Sequence, residues 1–162
     1  MKKIIFLILL CFFPIKNLFA LIEIDITRGN LDPLPIAVSP LSAEKETEDN
    51  LTKELKEENI GQKISEVVEN NLKNSGLFNP LNKDAFLQKP DIAHLKPRFE
   101  DWSLIKAQAL ITGKVTLVNE KLRVEFRLWD VLAGKEMMAL AFTTVPSNWR
   151  RVGHIITDKV II

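Results

Sequence analysis

Three stretches near the carboxyl end alternate so regularly that they constrain the fold more than any other feature. In the middle one, Leu122, Val124, Phe126 and Leu128 interleave with Arg123, Glu125 and Arg127. Successive side chains of a strand point to opposite faces, so this stretch has one apolar and one charged side. Ala109 to Val118 precedes it as a further strand, with Gly113 inside, and Met138, Leu140 and Phe142 mark one face of the third. Ala133-Gly134-Lys135 supplies the turn between the second and third strands. Together they predict an antiparallel meander with one face covered.

The cover is predicted on both sides of the meander in sequence. Ile64, Val67, Val68 and Leu72 recur at helical spacing, and Gly76 stands where a left-handed C-cap belongs. Gly61 weakens the upstream part of that helix. A second helix carries Trp149, Val152, Ile156 and Val160 on one stripe, with Ser147 or Asn148 placed to cap it. A short helix containing Trp102 and Ile105 is expected to re-enter the core, and residues 88–98, with Pro90 and Pro97, read as a loop. Ile36-Ala37-Val38 reads as a short strand, and Pro33 and Pro35 extend the loop before it.

The amino end is of another kind. Lys2 and Lys3 are followed by the apolar run Ile4–Phe13, a break at Pro14 and a boundary at Ala20. Residues 1–20 therefore read as a secretory signal peptide, cleaved near Ala20, and not as a span, which needs about 20 apolar residues. The chain's single cysteine, Cys11, leaves with it, so no disulfide framework is possible within the chain. What remains is slightly acidic and fits the periplasm or another exported compartment. Near-neutral charge argues against a nucleic-acid binder.

Residues 21–162 are then one domain. It opens with Leu21, after which Ile22, Ile24 and Ile26 point one way and Glu23, Asp25 and Thr27 the other. Such a segment either pairs within its own sheet or adds to the sheet of a partner. Residues 44–58 hold seven acidic and three basic side chains, a solvated stretch or an acidic docking patch. The helical pattern continues to Ile162 without a stop signal, which suggests a truncated chain, a domain fragment or a short reading frame.

Catalytic motifs are absent: no phosphate loop, nucleophile elbow or paired-histidine metal motif occurs. His154 and Asp158 lie four apart on the last helix, too few ligands for a metal site, and a packed or hydrogen-bonded histidine fits better. A secreted small α/β enzyme using carboxylates or His154, and a domain tethered by a retained 1–20, stay open as other classes.

A set of short motifs resembles a known family. Ile22-Glu23-Ile24-Asp25-Ile26-Thr27-Arg28-Gly29, followed by Pro35-Ile36-Ala37-Val38, is similar to the start of the amino-terminal domain of TolB, the periplasmic protein of the Tol-Pal system. Leu72-Lys73-Asn74-Ser75-Gly76-Leu77-Phe78, Trp102 with Ala107 through Gly113, Phe126-Arg127-Leu128-Trp129-Asp130, and Trp149-Arg150-Arg151 with His154 and Asp158 follow in the same order. Asn71 stands where the family usually has aspartate, the stretch around 44–58 is longer, and the chain ends before the family's β-propeller.

The resemblance implies an α/β (α+β) domain, a small mixed, partly antiparallel sheet with two main helices packed on it. It implies a non-enzymatic interaction protein with no catalytic residues, cofactor or metal. It implies that the mature amino-terminal segment, within residues 21–34, binds a TolA-like inner-membrane protein. The matching positions are Leu21, Ile22, Glu23, Ile24, Asp25, Ile26, Thr27, Arg28, Gly29, Asn30, Leu31 and Asp32. Binding of the peptidoglycan-associated lipoprotein, a propeller function in the family, is not expected.

Overall fold

The computed structural model of the chain describes residues 32–43 and 59–161. All of them belong to one compact unit, Leu31–Ile162. Residues 1–20, which the sequence reads as a signal peptide, and the acidic stretch 44–58 lie outside the described residues.

The strands are β1 (Leu34–Val38), β2 (Ser42–Ala43), β3 (Phe78–Pro80), β4 (Ala109–Val118), β5 (Lys121–Asp130) and β6 (Lys135–Thr144). The helices are α1 (Ile60–Asn74), α2 (Pro90–Ala93), α3 (Phe99–Leu104) and α4 (Trp149–Ile161). The sheet runs β3-β1-β4-β5-β6, with β2 also beside β4. β1 is parallel to both its neighbours, while β4, β5 and β6 form the antiparallel meander. The architecture is thus α/β with a mixed open sheet, as the resemblance implied.

The meander's alternation is realised residue by residue. Ile111 faces Leu128, Val115 faces Val124, and Arg127 faces Thr112 across β4 and β5. Asn119 and Glu120 close that hairpin with φ of 49° and 59°, the two positive values that a two-residue turn matching the strand twist requires. Gly134, at φ 61°, serves the next turn, where Ala133 N–H donates to Asp130 Oδ1 at 2.8 Å.

α1 and α4 cover one face of the sheet. Ile64, Val68 and Leu72 are fully buried there with Ile36, Ile111, Val115, Phe126 and Ile156. Val67 is only partly buried. The helix begins at Asn59, whose side chain accepts from Gln62 N–H at 3.4 Å, and it ends before Gly76 at φ 72°. Gly61 matters for a reason beyond propensity. A β-carbon there would collide with the Leu41 carbonyl oxygen, a backbone atom that cannot swing away. Beside it, buried Ser65 accepts from Leu41 N–H at 3.0 Å, and its hydroxyl faces the carbonyls of Ser39 and Gly61.

The other face has a smaller core of its own. Ala37, Ala93, Trp102, Ala107, Leu110 and Val131 are buried together under α2 and α3. Gln88 organises it, although only 4% exposed. Its Oε1 accepts from Trp102 Nε1 at 3.1 Å and from Arg98 N–H at 2.9 Å, and its Nε2 donates to Lys96 O at 3.0 Å.

Four local expectations change. Pro35 lies inside β1, not in a loop; lacking a donor, it still accepts from Gln108 N–H at 3.0 Å. β2 and β3 are strands the alternation did not mark, because two or three residues form no period. Residues 88–98 contain the single-turn helix α2, started by Pro90 at its first position. Pro146–Asn148 is a 3-10 turn running into α4.

Candidate protein interface at the entry end of the sheet

Of the twelve positions assigned to partner binding, Leu21 to Leu31 lie outside the described residues, and Asp32 is within them and exposed. Asp32 and Pro33 feed β1, where Leu34 N–H donates to Leu77 O at 2.9 Å. β1 is flanked on one side by β3 and on the other by β4. Its backbone is therefore committed within the domain.

Where β1 begins, the helix-covered face opens into a cavity of about 310 Å³. Leu34, Phe78, Leu128, Met137 and Val160 are among the side chains that line it. Beyond the turn after β5 lies a shallower apolar cleft bounded by Phe99, Leu104, Val131 and Leu132. Leu104 is 74% exposed and Leu132 73%, high for leucines. An exposed apolar cluster of this kind suits contact with another protein surface better than bond chemistry. Asp130, a carboxylate on its border, is occupied by the turn hydrogen bond already described. Sequence reading missed Leu104, Leu132 and Met137; the available signal was an apolar residue, Leu132, inside a turn.

The histidine on the last helix is held structurally. His154 Nδ1 and Asn71 Nδ2 lie within hydrogen-bond distance, 2.8 Å apart. The same amide donates to Thr157 Oγ1 at 3.3 Å, and Thr157 donates to Gly153 O at 3.0 Å. This chain ties α1 to α4, and His154 is the hydrogen-bonded histidine that the sequence favoured. Among the described residues no three histidine, cysteine or acidic side chains are grouped to hold a metal ion. Nor is any helix among them long and apolar enough to cross a membrane.

The open half of the second sheet face is charged. A hollow of about 320 Å³ is lined by His94, Lys114, Glu125 and Arg127. Arg123 Nε donates to Glu125 Oε1 at 2.9 Å, and Arg127 lies 3.5 Å from Glu136. The Arg123 hydrogen bond holds the Glu125 carboxyl below the usual glutamate range; partial burial opposes this, and the positive charges of Lys114, Arg123 and Arg127 add to it.

These features define a class: a mixed α/β domain whose surface offers an apolar end and a salt-bridged sheet face. Comparison with known proteins then gives the particular family. The model of the TolB amino-terminal domain matches residues 22–137, and the chain belongs to that family. The Tol-Pal system protein TolB of Pelagibacter ubique (strain HTCC1062) is 76% identical over 153 residues, 94% of this chain. The chain spans about a third (34%) of that relative's length. The crystal structure of TolB from Acinetobacter baumannii has a TM-score of 0.61 at 18% identity, over 81% of this chain and 28% of that one. The lipoprotein GNA1162 from Neisseria meningitidis has a TM-score of 0.51 at 17% identity, over 79% of this chain and 94% of that one. The two structures show a shared fold.

Proposed function

We propose that the chain acts as a non-enzymatic, periplasmic component of a Tol-Pal-like system. In this reading it contributes to outer-membrane integrity and to constriction during division through protein–protein interaction. Residues 1–20 export it and are removed near Ala20. Residues 21–32 bind a TolA-like inner-membrane protein by adding a strand to that partner's sheet. Main-chain hydrogen bonds then carry much of the affinity, and Ile22, Ile24 and Ile26 fill pockets.

The observation that carries the reading is the family match, which begins at residue 22 and so takes in nearly the whole segment. It is supported by the commitment of β1 to two neighbours, because that leaves the chain before Leu34 as the part not used by this strand.

Calorimetry against the carboxyl-terminal domain of TolA tests it, with the chain from Leu21, its Ile24→Pro variant, and a chain beginning at Leu34. Proline removes a backbone donor and breaks a ladder. Binding falls sharply in both altered proteins while their circular dichroism stays that of the folded domain. Equal binding by all three places the site elsewhere. Unfolding by Ile24→Pro makes Leu21 to Thr27 a strand of the domain itself.

A further inference from the structure

The sheet's two outer strands are built unlike one another. β3 has three residues and ends at Pro80, which lacks an N–H. Short edges and prolines are common ways of keeping an edge from pairing. β6 has ten residues, and its only charges, Lys135 and Glu136, are at its first two positions. The register slips where Leu128 and Trp129 face Met138 and Glu136. The regular part of β6 is therefore Met138–Thr144, which contains neither charge nor proline. Among the described residues this edge has no neighbouring strand.

The regular part is also complementary to itself. Two copies meeting edge to edge about a two-fold axis run antiparallel. Their helix-covered faces stay on one side only if opposed residues share the same face, since a one-residue slip flips every side chain. With the axis at Ala141, the middle of Met138–Thr144, Leu140 opposes Phe142, Ala139 opposes Thr143, and Met138 opposes Thr144. Leu140, 37% exposed, and the partly buried Phe142 lie on the helix-covered side, so pairing extends an existing apolar layer. On the other side, Ala139, Ala141 and Thr143 are exposed and small. No like charges meet.

We infer that β6 is a self-association edge: a second copy of this chain pairs with it antiparallel, centred on Ala141, so that one sheet runs through both copies. The contact is at the small end of protein interfaces, so the dimer is concentration-dependent.

Sedimentation velocity of the purified chain from about 1 μM to about 500 μM is expected to show a monomer–dimer equilibrium. Ala139→Lys with Thr143→Lys sets lysines opposite each other across the axis, and dimer is lost. Ala139→Lys with Thr143→Glu sets lysine opposite glutamate, and dimer returns. In a Cys11→Ser background, Ala141→Cys cross-links to itself under mild oxidation, because directly opposed strand residues lie within disulfide reach. Thr143→Cys, which faces Ala139, does not. Circular dichroism confirms that each variant is folded. A monomer throughout the range overturns the proposal, as does a dimer unaffected by the two lysines. A monomer whose outer β6 amides resist hydrogen exchange also overturns it, because another segment then holds the edge.

Discussion

The two faces of the β4–β5 pair come from the same residues taken alternately, yet they are held by different forces. On one face Ile111, Val115, Val124 and Phe126 are almost wholly removed from water beneath α1 and α4. On the other, Arg123 pairs with Glu125 and Arg127 with Glu136 in reach of solvent, and Lys114 lines the same hollow. Burial scales with apolar area and does not depend on the ionisation of any side chain. Exposed ion pairs are screened and contribute little. The difference teaches that the alternation chooses the fold through one face and leaves the other free to vary.

Leu72→Ala attacks the covered face most directly. Leu72 is fully buried in α1, so the cavity left behind costs roughly 2–5 kcal/mol. Chemical denaturation measures it, and a loss below about half a kcal/mol would mean a surface site. Gln88→Leu probes the smaller core on the second face. It leaves Trp102 Nε1 and Arg98 N–H without their acceptor, at about 1–3 kcal/mol. Fluorescence of the tryptophans should report the change along with the shift in denaturation midpoint.

How far these sites were legible in the sequence follows the same division. β4 could be bounded, and the apolar faces of β5 and β6 marked, because each strand is ten residues long. The stripes of α1 and α4 were visible for the same reason, at the helical period. β2 and β3 are set by partners far along the chain, Lys114 and Val115 for one and Leu34 to Ile36 for the other, and have no local signature. Gln88 looked like any loop glutamine, since nothing near it in sequence shows that a tryptophan fourteen positions away would need its oxygen. His154 and Asn71 are 83 residues apart, so the bond joining the two helices could not be read locally. The apolar end at Leu104, Leu132 and Met137 draws on three elements and became visible only when they met.

The smallest effect sharpens the comparison from the charged side. Glu125 is ionised more readily in the folded chain, so its pairing stabilises the fold above the unfolded carboxyl's pKa and loses that contribution as pH falls through the folded one. Glu125→Gln is expected to cost about 0.2–1 kcal/mol at neutral pH, solvent-screened, and nothing measurable in acid, where both proteins are neutral at this position. Denaturation at the two pH values, with and without added salt, checks it. A cost that persists in acid would assign the effect to packing.

The central place of β1 has a mechanical consequence. Whatever grips the chain ahead of Leu34 hauls on a strand held from both sides by parallel neighbours. A tug along that strand loads its hydrogen bonds side by side in shear, so they must give way together. The same tug along an outer strand such as β6 would load a single ladder, because β5 alone lies beside it among the described residues. A tether attached through the amino-terminal segment therefore meets the domain where it yields last.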